Sequence, residues 1–312
     1  MSRYAVLTYQ KAGSQWIRDV LFARKILASV PGHAVYAPID QFERLDIWRA
    51  KPEGTCGGPF YDVCHEEWSI WSRPQDRAVH VLRDPRDRLI SWVFSVTVSH
   101  VEAPHVAAIR MPMNMLDLRD RISLAIGITG EISIWMAKSW LNPRGLKTCF
   151  CTTYERLVED PIVEFGAIFE FFGWVVPDAA LRAVVAEEAF EVRSGGRPRG
   201  AASDVSHYRR GVAGDWRRYF DRALGELFER CYPGALVELG YESTNSWFET
   251  LPQNCELLES AEFGGHGRNP KLLDELRELR RRNAALETGF STQRGLLQEF
   301  ETLIPLTGSR KL

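Results

Sequence analysis

Apolar positions in this chain fall into short uninterrupted runs, separated by longer stretches in which they recur at helical spacing. The run Ala5-Val6-Leu7 is short and apolar on consecutive positions, which predicts a strand covered on both faces. Over residues 16–29 the pattern changes, with Ile17, Val20, Leu21 and Ala28 on one helical face and Pro31-Gly32 as the stop. Residues 33–37, 60–64, 77–83 and 147–153 predict four further strands. Helices are expected from Asp84-Pro85 through Ser91, and from Tyr154 past Phe172. This alternation predicts an α/β fold, a doubly wound parallel sheet of about five strands flanked by helices. Ligands of such sheets sit at the carboxyl ends of the strands, which is where Lys11, His65, Arg83 and Tyr154 fall.

Two regions leave alternatives open. Residues 95–130 are apolar but irregular, with Met111, Met113 and Met115 close together, suiting either a lid over an organic ligand or a packed helix hairpin. Near the C-terminus, Leu272, Leu276, Leu279, Asn283, Leu286 and Phe290 follow heptad spacing. Asn283 at an a position fits a parallel homodimer, with Glu275–Arg280 and Arg282–Glu287 attractive across it. The clean stretch stops before Gly289 and Gly295, so a helix packed on its own domain is the alternative. The expected organisation is a catalytic domain over 1–250 and an extension over 251–312, with the helix at about 270–300.

Bulk properties narrow the partners. The 312 residues are 45% hydrophobic and 26% charged, as in an ordinary globular protein. A net charge of −2 provides no general attraction to nucleic acid or anionic membrane, so an anionic ligand must be held by local basic groups. The six cysteines lack CxxC spacing and read as reduced thilos of a cytoplasmic protein. With a first strand beginning by Tyr4 and no bilayer-length apolar run, neither a leader nor a membrane span is expected. No ligand cluster suggests a metal.

The chemistry starts in the loop after the first strand. Lys11, Gly13 and Ser14 precede a helix N-terminus, whose free N–H groups and positive dipole end attract an anion. A nucleotide-triphosphate loop would end in Gly-Lys-Ser/Thr, whereas here the lysine comes before the glycine. Trp16 suits a platform for a flat ring; as a plain connection, the loop would put Trp16 in the core and Lys11 in solvent. Arg83 and Ser91, eight residues apart across a strand end and a helix, can bracket a second phosphate. Tyr154-Glu155-Arg156 opens a helix, and Arg209-Arg210-Gly211 joins two cations to a turn.

In this order the set resembles the sulfotransferases that use 3′-phosphoadenosine-5′-phosphosulfate, over residues 3–242. The residues Lys11, Ala12, Gly13, Ser14, Gln15 and Trp16 look like their 5′-phosphosulfate loop, and Arg83 to Ser91 like their 3′-phosphate segment. Arg209-Arg210-Gly211 is similar to their C-terminal clamp, while Tyr154 and Phe190 match nucleotide contacts. The resemblance implies that Lys11 assists the leaving oxygen, that Trp16 and Phe190 sandwich adenine, and that Arg83, Ser91, Arg209 and Arg210 hold the 3′-phosphate. It also implies a histidine base, for which His65 is the candidate, with Glu66 or Glu67 as carboxylate alternatives; a surface role for His65 is the plain reading. No metal is implied. Phe42, Trp48, Trp68, Met111 and Met113 are expected around a small hydroxyl acceptor of aromatic or lipid-like character.

Departures from the family pattern are specific. Gln10 replaces a proline, Gln15 a hydroxyl residue, and Val63 a lysine near the base, while Asp221-Arg222 breaks the family's dimer motif. The competing readings are a P-loop nucleotide kinase and a non-catalytic nucleotide-binding scaffold.

Overall fold

A computed structural model describes residues 2–30, 32, 35–38, 45–101, 103–141, 147–203, 206 and 208–259. These belong to one unit, and the heptad-spaced stretch lies outside them. Five strands form the sheet: β1 (Tyr4–Thr8), β2 (Val35–Pro38), β3 (Thr55–Tyr61), β4 (Arg77–Leu82) and β5 (Cys149–Thr153). All are parallel, in the order β2-β3-β1-β4-β5. The helices in chain order are α1 (Ser14–Leu21), α2 (Arg24–Leu27), α3 (His65–Trp71), α4 (Pro85–Phe94), α5 (Pro104–Asn114) and α6 (Leu118–Ser139). After β5 come α7 (Tyr154–Glu159), α8 (Pro161–Phe172), α9 (Asp178–Glu187), α10 (Phe190–Arg193) and α11 (Arg222–Cys231).

Helices cover both faces of the sheet because strand side chains alternate. In β1, Val6 packs with Ile17, Val79, Phe165 and Ile168, whereas Ala5 and Leu7 pack with Trp48, Phe60, Trp68 and Ala78. A third cluster joins α4, α6 and α11 through Ile90, Ile122, Phe220 and Phe228.

Several elements differ from the sequence expectation. The first helix stops at Leu21 and a separate four-residue helix follows from Arg24. The helix expected after Tyr154 is two, because Asp160-Pro161 starts a new one: the Asp160 carboxylate accepts from Val163 N–H at 3.1 Å, and proline occupies the first turn. Strand β3 begins five residues earlier than expected and ends at Tyr61. Pairing of Cys56 with Tyr4 and Gly57 with Ala5 draws the Gly/Pro stretch into the sheet, so a locally loop-like composition yields to tertiary pairing. Residues 95–130 hold a π-helical turn (Ser95–Ser99), all of α5 and the first part of α6, with Met113 buried in the third cluster.

Candidate active site

The carboxyl ends of β1, β3, β4 and β5 open onto one cavity of about 700 Å³, within the range of small-molecule sites. Its first wall is the β1–α1 turn. Lys11 (φ 72°) and Gly13 (φ 80°) are both left-handed there, which swings the backbone onto the N-terminus of α1. A Cβ on Gly13 would lie 2.7 Å from Tyr154 Cδ2, so only glycine lets the turn pass under that ring. Lys11 Nζ donates to Ser95 Oγ at 3.2 Å. Burial, reinforced by the Arg83 and Arg209 charges, lowers the Lys11 pKa to about 8. Ser14 Oγ and Tyr61 OH share a hydrogen bond of 3.0 Å, and Gln15 Nε2 donates to the same phenol at 3.3 Å.

The second wall rises from β4 and α4. Arg83 Nη1 donates to Lys11 O at 2.9 Å and Nη2 to Val212 O at 3.3 Å, while its guanidinium stands 4.4 Å from the Tyr154 ring centroid. Arg83 Nε is buried without a partner among the described residues. Ser91, two turns along α4, lines the same cavity. Asp87 then ties the C-terminal turn to this helix, its carboxylate accepting from Gly214 N–H at 2.6 Å and Trp216 N–H at 2.8 Å. That tie brings Arg209, Arg210 and Gly211 onto the lining of the cavity, next to Arg83 through its bond to Val212 O. Both arginines pair with Asp215, and Arg209 Nε is a further buried nitrogen with no described partner. Lys11, Arg83, Arg193, Arg199, Arg209 and Arg210 thus line one cavity in a chain of net charge −2. A local cationic field stands where global charge offers none.

Trp16, Tyr154 and Phe190 line the cavity together with these cations. Trp16 packs edge-on against Phe165 at 5.5 Å and Tyr154 at 6.4 Å, leaving Nε1 buried without a described partner. The other half is apolar, with Leu45, Phe60, Trp92, Val96, Val106 and Ile109.

Several expected site residues lie elsewhere. Ala12 is fully buried with Tyr9 and Met136, beneath the loop. Trp48 and Trp68 belong to the core, not to an acceptor site: Trp48 packs on Phe60 at 5.4 Å, and Trp68 Nε1 donates to Thr148 Oγ1 at 3.1 Å. Met113 is likewise core, while Met111 is exposed and off the cavity. Phe42 lies outside the described residues. His65 is the first residue of α3, capped by Cys64, and its ring meets the edge of Trp140 at 5.7 Å; neither it nor Glu66 lines the cavity, though Glu67 does.

Residues not singled out from sequence also line it, namely Tyr61, Asp62, Ser95, His100, Arg193 and Arg199. For the last two a signal existed, since residues 193–200 carry three arginines among three glycines. No group of three or more metal-ligating side chains occurs among the described residues, and no helix there is long and apolar enough to cross a membrane.

The family model described as a sulfotransferase domain matches residues 67–240, just over half of the chain. Sulfotransferase 2B1 of Rattus norvegicus is 32% identical over 111 residues, covering 30% of this chain and 31% of that protein. Sulfotransferase 2B1 of Homo sapiens is 30% identical over 262 residues, covering 73% of this chain and 64% of that protein. The chain therefore spans less than two thirds of the length of these curated relatives. Among solved structures, mouse sulfotransferase SULT7A1 complexed with PAP superposes with a TM-score of 0.53 at 16% identity, covering 75% of this chain and 84% of that one. Retinol dehydratase in complex with androsterone and the inactive cofactor PAP superposes at 0.50 and 15%, covering 75% and 80%. These likenesses show a shared fold. The family match contains Arg83, Ser91, Tyr154, Phe190, Arg209 and Arg210, and the shared fold covers three quarters of the chain, so the chain belongs to the sulfotransferase domain family.

Proposed function

We propose that this protein transfers a sulfuryl group from 3′-phosphoadenosine-5′-phosphosulfate to a hydroxyl of a small, largely apolar acceptor. The observation that carries the reading is that the β1–α1 turn with Lys11, the pair Arg83 and Ser91, and the rings of Trp16 and Phe190 all line one cavity. Buried Arg83 Nε, Arg209 Nε and Trp16 Nε1, without described partners, are donors suited to a polyanionic purine nucleotide. Two structural neighbours were solved with PAP, one of them with androsterone.

Bound there, the donor supplies an activated sulfuryl group. Lys11, Ser14 and the N–H groups that open α1 hold its 5′ end. Arg83, Ser91, Arg209 and Arg210 hold the 3′-phosphate, and Trp16 and Phe190 flank the base. Lys11, brought to about 8 by burial and neighbouring cations, regains a full proton beside the anion and neutralises charge on the leaving oxygen. Positioning and charge stabilisation are the main contributions available, as in phosphoryl transfer. The apolar half formed by Phe60, Val96 and Ile109 suits an aromatic or lipid-like body.

The kinase alternative has less behind it, because the β1–α1 turn lacks the Gly-Lys-Ser/Thr ending and Arg83/Ser91 supply a second phosphate site. We place the protein in the cytoplasm on its six free thiols, and a homodimer through the heptad-spaced helix is part of the proposal. Titration calorimetry with adenosine 3′,5′-bisphosphate, followed by transfer assays on a hydroxyl panel, tests the function. Tight binding with turnover is expected; no binding overturns the reading.

A further inference from the structure

We infer that Asp62 takes the proton from the acceptor hydroxyl, an assignment that rests on the sulfuryl-transfer reading above. Only Lys11 and Asp62 among the described non-glycine residues have a left-handed backbone, with φ of 72° and 60°. Such conformations are uncommon for residues with a side chain and gather at functional sites. The two residues stand in the loops that leave adjacent strands. Thr8 of β1 pairs with Tyr61 of β3, and Asp62 N–H donates to Thr8 O at 2.9 Å. Adjacent strands lie about 4.8 Å apart, so the loops that carry Lys11 and Asp62 leave the sheet at adjacent strand ends. Both line the cavity.

Their surroundings divide the labour. Lys11 faces the cationic half, close to Arg83 and Arg209. Asp62 lies between Phe60 and Val63 at the apolar half, one residue after the tyrosine that bonds Ser14. No described residue donates a hydrogen bond to its carboxylate, which leaves both oxygens available to a hydroxyl. Asp62 keeps an exposed side chain on the cavity, and partial desolvation by its surroundings moves its pKa upward, opposed by Arg88 of α4. Besides the six cations named above, the cavity is lined by the carboxylates Glu67, Glu188 and Asp215, by His100 and by the phenols Tyr61, Tyr154 and Tyr208. His65 does not compete, since its ring stands against Trp140 with Nε2 3.4 Å from Ser69 Oγ.

In the step, the acceptor O–H bond breaks and its proton passes to an Asp62 oxygen while the acceptor oxygen bonds sulfur. The bond from sulfur to the bridging oxygen breaks, and its electron pair stays on the 5′-phosphate oxygen beside Lys11. Asp62 then releases the proton to solvent, so the products are a sulfate monoester, adenosine 3′,5′-bisphosphate and one proton.

The test compares wild type, Asp62→Asn, Asp62→Glu and His65→Ala on substituted phenols, from 4-nitrophenol to unsubstituted phenol. Asp62→Asn should keep wild-type melting and bisphosphate affinity and lose about 10²–10⁴-fold in kcat/KM on phenol, the typical worth of a general base. It should lose much less on 4-nitrophenol, which ionises unaided, and Asp62→Glu should recover part of the rate. A second readout needs no turnover. In the bisphosphate complex the Asp62 carboxylate disfavours a neighbouring phenolate, so bound 4-nitrophenol should ionise at lower pH in Asp62→Asn, read by its absorbance. Transfer by Asp62→Asn at the wild-type rate, an unmoved nitrophenol titration, or a wild type that binds bisphosphate yet shows no Asp62-dependent transfer overturns this assignment alone. Failure of the wild type to bind bisphosphate overturns the sulfotransferase reading instead.

Discussion

Gly211 abuts the ring of Phe190: its φ is +67°, and a Cβ there would stand 2.7 Å from Phe190 Cε2 and nearer still to Cδ2. One glycine therefore sets both the turn that carries Arg209 and Arg210 and the seat of the aromatic assigned to the adenine. Gly211→Ala combines a left-handed alanine, costing about 1–2 kcal/mol, with displacement of the ring. Bisphosphate affinity should fall at least about tenfold, equivalent to ~1.4 kcal/mol. Calorimetry on the folded variant reads this, and unchanged affinity would remove Phe190 from the nucleotide site.

Arg83 and Arg86 lie three residues apart yet should behave oppositely. Arg86 is buried, ion-paired with Asp84 at 2.8 Å and with Glu242, and lies 3.7 Å over the Trp216 ring. Arg86→Ala strands two carboxylates and should cost about 3–5 kcal/mol of stability. Arg83→Ala should chiefly weaken bisphosphate binding, by about 1.5–3 kcal/mol, as expected for hydrogen bonds to a charged group. Denaturant melts paired with calorimetry separate the two; equal loss of stability in both would refute the distinction.

Lys11 couples anion binding to pH. Its pKa falls from 10.5 to about 8 in the free protein, and a bound anion raises it again. Near neutral pH the lysine is already charged and binding takes up little proton. Above about 8 it is largely neutral, so binding takes up close to one proton and affinity weakens as pH rises. Calorimetry in buffers of different ionisation heat should show this uptake at alkaline pH, and Lys11→Met should abolish it. The same depressed pKa means that the unfolded chain binds more protons between about 8 and 10.5, so the Lys11 contribution to stability should improve as pH rises through that window.

Trp16 lines the cavity and stands nearly perpendicular to Phe165. Trp16→Phe should keep bisphosphate affinity within a few-fold, because an aromatic face remains. Trp16→Leu should lose about 1–3 kcal/mol, the usual worth of a base stacked on an aromatic ring. Equal affinities for Phe and Leu variants would make Trp16 a purely structural residue.

The residues of the proposed donor site were legible in the sequence for a local reason. Lys11, Gly13, Arg83 and Tyr154 each sit where an apolar strand run meets a helix start, and parallel topology carries all such junctions to one edge. The acceptor side was not legible in this way. Trp48 and Trp68 look like ligand-facing aromatics, but which face of the sheet they meet is settled by Phe60 and Ala78, distant in the chain or on another element. Met111 and Met113, two positions apart on α5, divide between solvent and core.

Sequence by itself determined the strand–helix alternation, the Lys11–Ser14 loop and the Arg83–Ser91 and Arg209–Gly211 pieces, because each is written within a few neighbouring residues. Tertiary structure alone decided where β3 ends. Pairing with β1 pulled the Gly/Pro stretch into the sheet and ended the strand at Tyr61. That shift leaves Asp62 on the lining of the cavity and makes His65 the first residue of a helix. A register between strands some fifty residues apart depends on hydrogen bonds that no local pattern encodes.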